Sequence, residues 1–189
     1  MRHPGWRLHG CRPWAGSATI LTPLVLGVDA SLTRTAIASA GGDGFRHLAV
    51  QTSSGTPIER RLRYLADAIY EAVTQWPGGP AAVVVLEEPG FIPTHQSVQS
   101  VYAMGRAQGA ILAGLPDGLP VRVVMVSQWR RDLEIHIPKG AGKAPIVAFV
   151  EQQGIVLPYS PRSRTPDHDV ADAYCLAMWG ARLLRGGAR

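Results

Sequence analysis

The stretch AAVVVLEEP, residues 81–89, constrains the fold more than any other part of the chain. Its unbroken aliphatic run lies between the breaker PGGP and a proline, which makes it too short for a buried helix and apolar on both sides. Such a run reads as a strand buried on both faces, and a strand of that kind needs cover above and below its sheet. The neighbouring segments offer the cover. TPIERRLRYLADAIYEAVTQW precedes it with Leu62, Leu65, Ile69 and Val73 at helical spacing. A capping box opens this helix, with Thr56 as N-cap, Pro57 at the first helical position and Glu59 three residues beyond the cap. A second helix is expected over about 96–114.

Upstream, LVLGVDA, TAIASA and FRHLAVQ read as three strands of a meander, joined by turns around SLTR and GGDG. Downstream, VRVVMV reads as a fifth strand, followed by a basic loop, a short helix near 144–153 and a last helix from Pro166 with Thr165 as its cap. The order βββαβαβαα predicts an α/β fold: a five-stranded mixed sheet with helices on both faces, as in the ribonuclease H type of fold. One domain over 24–189 accounts for the pattern. Residues 1–23 carry no acid and no helical or strand period, and are expected to form a flexible extension.

Composition excludes several classes. Cys11 and Cys175 stand far apart with no partner pattern, which suggests neither a disulfide framework nor a zinc site and points to a reducing interior. No segment is long and apolar enough to span a bilayer, and the apolar run after the N-terminal arginines is broken by Thr and Pro, so a cytoplasmic location is expected. The net charge of +5 permits a polyanionic partner, although the first 23 residues supply three of the 19 basic side chains.

The acids are placed pointedly. Asp29 ends the first strand, Glu87 and Glu88 end the fourth, and Asp167, Asp169 and Asp172 open the last helix. If the first and fourth strands are parallel neighbours, their carboxylates emerge at one edge of the sheet, where open α/β sheets bind ligands. Asp167 is accounted for by the helix dipole alone. Asp169 and Asp172 are three residues apart and share a helix face that continues through Leu176 and Trp179, so Asp172 aligns with residues expected to pack on the sheet. A buried carboxylate there costs several kcal/mol unless a cation meets it. Mg²⁺ takes a few such oxygen ligands and keeps several waters, which makes a metal site at this edge the economical reading.

From Leu24 to about Leu184 the chain resembles the RuvC-type Holliday junction resolvases. LGVDAS resembles the family's first-strand Asp, VVLEEP its fourth-strand Glu, and DVADA its Asp-x-x-Asp-Ala helix. MGRAQGAIL is similar to the helix between them, and SQWRRDL and KGAGKAPI to the loops that carry basic residues near the scissile phosphate. The resemblance implies a Mg²⁺-dependent endodeoxyribonuclease whose acidic tetrad is Asp29, Glu87, Asp169 and Asp172, with Lys143 as the basic residue beside the phosphate. Two ions would be held per site, and Mn²⁺ could replace them. Glu88 offers a competing register to Glu87. His168 competes with Asp169, since some members place a histidine there.

The same resemblance implies paired symmetric nicks in a four-way junction, leaving 5'-phosphate and 3'-hydroxyl ends, by a homodimer. Ala103, Gly105, Ala107, Gly109 and Ala110 give the second helix a small-residue surface, and in this family that helix joins the subunits. Arg130, Arg131, Lys139, Arg162 and Arg164 lie in the most basic stretch of 24–189 and are expected to contact DNA phosphates. Phe91 stands where family members carry an aromatic wedge. Two other classes compete. GVDASLTRTAIA also resembles the first phosphate loop of the ATP-binding actin and sugar-kinase superfamily, whose members need two such domains, and a non-catalytic junction-binding protein would keep the basic loops while losing an acid. A nuclease of the same fold acting on another branched DNA or on an RNA–DNA hybrid is a closer alternative.

Overall fold

Hydrogen-bond register sets the frame of the molecule. In the computed structural model, which describes residues 9–10, 23–41, 44–77, 79–88, 98–160 and 164–186, the strands are β1 (His9–Gly10), β2 (Val25–Asp29), β3 (Arg34–Ala40), β4 (Arg46–Gln51), β5 (Val83–Glu87) and β6 (Val121–Val124). They form one sheet in the order β1-β4-β3-β2-β5-β6. β2, β3 and β4 are the antiparallel meander, while β5 and β6 are parallel to β2 on its other side. The pairing Val28↔Leu86 brings the ends of β2 and β5 side by side.

The helices are α1 (Ile58–Thr74), α2 (Val98–Gly114), α3 (Val126–Asp132), α4 (Ala144–Gln152) and α5 (His168–Leu184). Strand alternation explains the two layers. Val25, Val83 and Val85 face a core shared with α3, α4 and α5, whereas Leu26, Val28, Val84 and Leu86 face one shared with α1 and α2. Small residues let α5 approach the sheet: a Cβ on Gly27 would collide with the Ala173 carbonyl, so the backbone of α5 rests directly on β2. That close approach brings the first turns of α5 to the β2–β5 edge.

The five strands expected from the sequence are present, and β1 adds a sixth from the segment read as an extension. A strand of two residues, in register His9↔His47 and Gly10↔Arg46, is too short to leave a side-chain period to read. Three other expectations are corrected. The basic loop after β6 contains α3, whose start has no side-chain cap to announce it. α1 is capped at Pro57 rather than Thr56, and the Thr56 N–H instead closes a turn onto the Ser53 carbonyl. α5 is capped at Asp167 rather than Thr165, because the Asp167 N–H is already bonded to the Pro158 carbonyl and Pro166 bridges Tyr159 in extended form. Among the described residues, no helix is long and apolar enough to cross a membrane.

Candidate active site

Three carboxylates lie near enough to one another at the end of β2 and β5 to perturb each other's ionisation. Asp29 and Glu87, each half-buried, end these parallel neighbours, and Asp172, buried in the second turn of α5, comes to them from the covering layer. Burial pushes the Asp29 carboxyl well above its ordinary value, and Asp172, Glu87 and Asp169 push it the same way against the pull of Lys143. Glu87 is raised by burial and by Asp172, opposed by its bond to Trp129 and by Lys143 and Arg130.

Each carboxylate is held differently. Glu87 Oε2 accepts a 3.1 Å hydrogen bond from the indole of Trp129 on α3, and its carbonyl accepts one from the Gln108 amide on α2. Asp172 Oδ2 accepts a 2.5 Å bond from Lys143 Nζ, while its Oδ1 is buried without a partner. Lys143 is the N-cap of α4, delivered by a turn with left-handed Gly140 and Gly142. Burial would lower the Lys143 pKa, but Asp172 and Asp29 override it and hold the ammonium charged.

Asp169, one turn before Asp172, is turned to a cation on the sheet. Arg34 Nη1, at the start of β3, donates to Asp169 Oδ2 at 2.5 Å and to Asp167 Oδ1 at 2.9 Å, and Nη2 bonds Asp167 Oδ2. Asp167 therefore both caps α5, accepting from Asp169 N and Val170 N, and anchors the helix to β3.

Of the competing positions, Glu88 is exposed and engaged through its N–H with the Val124 carbonyl, and His168 is half-buried with Nδ1 lacking a partner. Arg130 packs on the Trp129 ring at 5.1 Å, with Nε buried and unpartnered. Arg131, Lys139 and Arg164 are exposed, and Arg131 pairs with Asp132 at 3.4 Å. Phe91 and Arg162 lie outside the described residues. Sequence reasoning missed Arg34, Trp129 and Gln108. A charged residue at the head of a strand in SLTRTAIA, and a tryptophan directly before two arginines in SQWRRDL, were the available signals.

Among the described residues, no three His, Cys, Asp or Glu side chains are drawn together closely enough to enclose an ion, and Lys143 and Arg34 are the cations that meet the carboxylates. The donor set nevertheless fits a hard divalent cation. The site offers only carboxylate oxygens, one of them buried and orphaned on Asp172, and Asp29 sits among like charges that an added cation would relieve.

The decisive comparison is with a curated relative. Over 139 residues, 73% of this chain and 71% of the relative, the sequence is 28% identical to the crossover junction endodeoxyribonuclease RuvC of Chromobacterium violaceum. The chain is similar to the RuvC type. Its fold agrees: the RuvC of T. thermophilus superposes with a TM-score of 0.64 at 22% identity, and the same protein in complex with a Holliday junction substrate with 0.66 at 21%. Both superpositions cover 88% of this chain and 98% of the other, and RuvC structures have the ribonuclease H-like fold. No family model matches the chain.

Proposed function

We propose that the chain is a divalent-cation-dependent endonuclease that resolves Holliday junctions, or closely related branched DNA, by paired symmetric nicks. The observation that carries this reading is the convergence of Asp29, Glu87 and Asp172 with Lys143 at one sheet edge of a RuvC-type fold. Asp29, Glu87 and Asp172 would hold the ions, with Asp169 beside them. Divalent ions held by these residues would supply Lewis-acid chemistry: activation of a water and neutralisation of charge on the leaving oxygen and the phosphorus.

The protein's own contribution is positioning and charge. The Glu87 carboxylate is oriented by Trp129, while Gln108 ties the Glu87 backbone carbonyl, so the residue is held before any ligand arrives. Lys143 brings a permanent cation to the same edge, placed to stabilise the added negative charge of a phosphorane-like transition state. Arg130 and Arg131 on α3, Lys139 in the segment before α4 and Arg164 ahead of α5 would supply phosphate contacts that position a duplex arm.

A homodimer fits the two-fold symmetry of a four-way junction. α2 supports it: Val98, Tyr102, Gly105, Gly109 and Leu112 recur at alternating spacings of four and three along one exposed face. A groove of about 460 Å³ lined by Val98, Val101, Tyr102, Gly105 and Arg106 opens on it. Tyr102→Glu should yield a monomer by sedimentation that nicks singly.

The test of the function compares a four-way junction, a fork, a linear duplex and an RNA–DNA hybrid, each with Mg²⁺ and with EDTA. Paired nicks in the junction that require Mg²⁺ are expected. Cleavage of the hybrid in preference to the junction would replace the substrate assignment, and cleavage in EDTA would remove the metal role.

A further inference from the structure

Arg34 is bound to the carboxylates at the start of α5 in two unequal ways. Its guanidinium meets Asp167 with both Nη atoms, a fork-to-carboxylate contact, and Asp167 is 4% exposed and committed as the α5 N-cap. Asp169 receives a single bond from Nη1 and is 37% exposed. Arg34 is therefore held by a partner that cannot leave without uncapping the helix, and it shares what remains of its charge with Asp169. Lys143 differs, because its side chain is 43% exposed and makes one bond, to Asp172. An arriving cation can displace Lys143 by rotation of a flexible stem, whereas Arg34 stays in place.

The two carboxylates of the Asp169–Asp172 face are thus unequal ligands. We propose that Arg34 is a positioning residue that draws the Asp169 carboxylate toward β3 and thereby weakens the hold of the site on divalent cations. The inference rests on the proposed metal-dependent function and assigns Arg34 a role in setting its cation affinity. A site tempered in this way would release its ions more readily.

The experiment titrates the full chain with Mn²⁺ alone, reading free Mn²⁺ by electron paramagnetic resonance, for the wild type, Asp29→Asn, Asp169→Asn, Arg34→Gln, Arg34→Lys and the double variant Arg34→Gln/Asp169→Asn. Arg34→Gln should bind Mn²⁺ about five-fold more tightly, the scale of coupling expected between side chains in direct contact. Arg34→Lys, which keeps the charge, should lie near the wild type. In the Asp169→Asn background the gain should disappear, because it is transmitted through Asp169. Unchanged or weaker binding by Arg34→Gln, or a gain that persists without Asp169, overturns the proposal. If Arg34→Gln does not fold, Asp167→Asn decides: it frees the guanidinium for Asp169 and should weaken binding, and unchanged affinity counts against the role. The underlying metal reading fails separately, if the wild type binds no Mn²⁺ that Asp29→Asn abolishes.

Discussion

Lys143 Nζ lies 2.5 Å from Asp172 Oδ2, so the N-cap of α4 and the second turn of α5 are joined by an ion pair at the edge of the sheet. One oxygen of Asp172 is satisfied and the other is not. A buried carboxylate with one unpartnered oxygen, beside a half-exposed cation, is the arrangement on which the proposed metal role rests.

If Lys143 moves from Asp172 to a phosphate when substrate binds, its loss should be felt in the chemical step. Lys143→Ala should lower the single-turnover cleavage rate on saturating junction by about 10²-fold or more, the scale seen when one preorganised transition-state donor is removed, with little change in affinity. Lys139, exposed and outside the carboxylate cluster, should behave oppositely. Lys139→Ala should weaken binding and flatten the slope of its salt dependence by about 0.9, the share of one neutralised phosphate. An unchanged saturating rate for Lys143→Ala would leave that residue a structural partner of Asp172 alone.

Glu87 and Glu88 are adjacent, and strand alternation sends them to opposite sides. Glu87 is tied to Trp129, and its pKa is raised by burial and by Asp172, while Glu88 is exposed. Glu87→Gln should abolish cleavage and Glu88→Gln should cost less than about two-fold, on the usual scale for exposed substitutions. Loss of cleavage in Glu88→Gln alone would reverse the assignment.

Trp129 is fully buried and donates to Glu87 Oε2. Partners that orient metal-binding carboxylates are worth about 10–100-fold in metal affinity or activity. Trp129→Phe should reduce Mn²⁺ affinity and single-turnover rate on this scale. In a Glu87→Gln background the same substitution should change Mn²⁺ affinity no further. A full effect in that background would show that Trp129 acts through packing.

What was legible in the sequence follows from where the information is stored. The aliphatic run at 83–86 and the helical period of α1 are repeated signals, and each repeat constrains the others. Asp29 and Glu87 were readable because each closes such a run. α3 was not, since seven residues opened by Met125 carry neither a cap nor a full period. Arg34 was not readable as a partner either, because its bonds span more than 130 residues of chain and exist only once α5 lies on β2. The cap of α5 failed for a similar reason. Thr165 and Asp167 are both acceptable caps, and the bond from Asp167 N to Pro158 decides between them.

Asp29 gives a prediction about stability. Its folded carboxyl is held well above the ordinary 3.8 by burial and by Asp172, Glu87 and Asp169. Between that ordinary value and the raised one, the folded protein keeps a proton that the unfolded chain has released. The stability contributed by this group is therefore fully present below pH 3.8 and is lost as pH rises through the folded pKa. Asp29→Asn cannot lose it. In EDTA, the Tm of the variant should gain on that of the wild type by a few degrees as pH is raised from about 4 to about 8. Mg²⁺ should then reverse the order at the upper end, raising the wild-type Tm and leaving the variant unmoved, because a ligand stabilises only the form that binds it. Differential scanning calorimetry at matched ionic strength measures both effects. Parallel curves for the two proteins in EDTA would mean that Asp29 ionises freely in the folded state, and an equal response to Mg²⁺ would place the cation elsewhere.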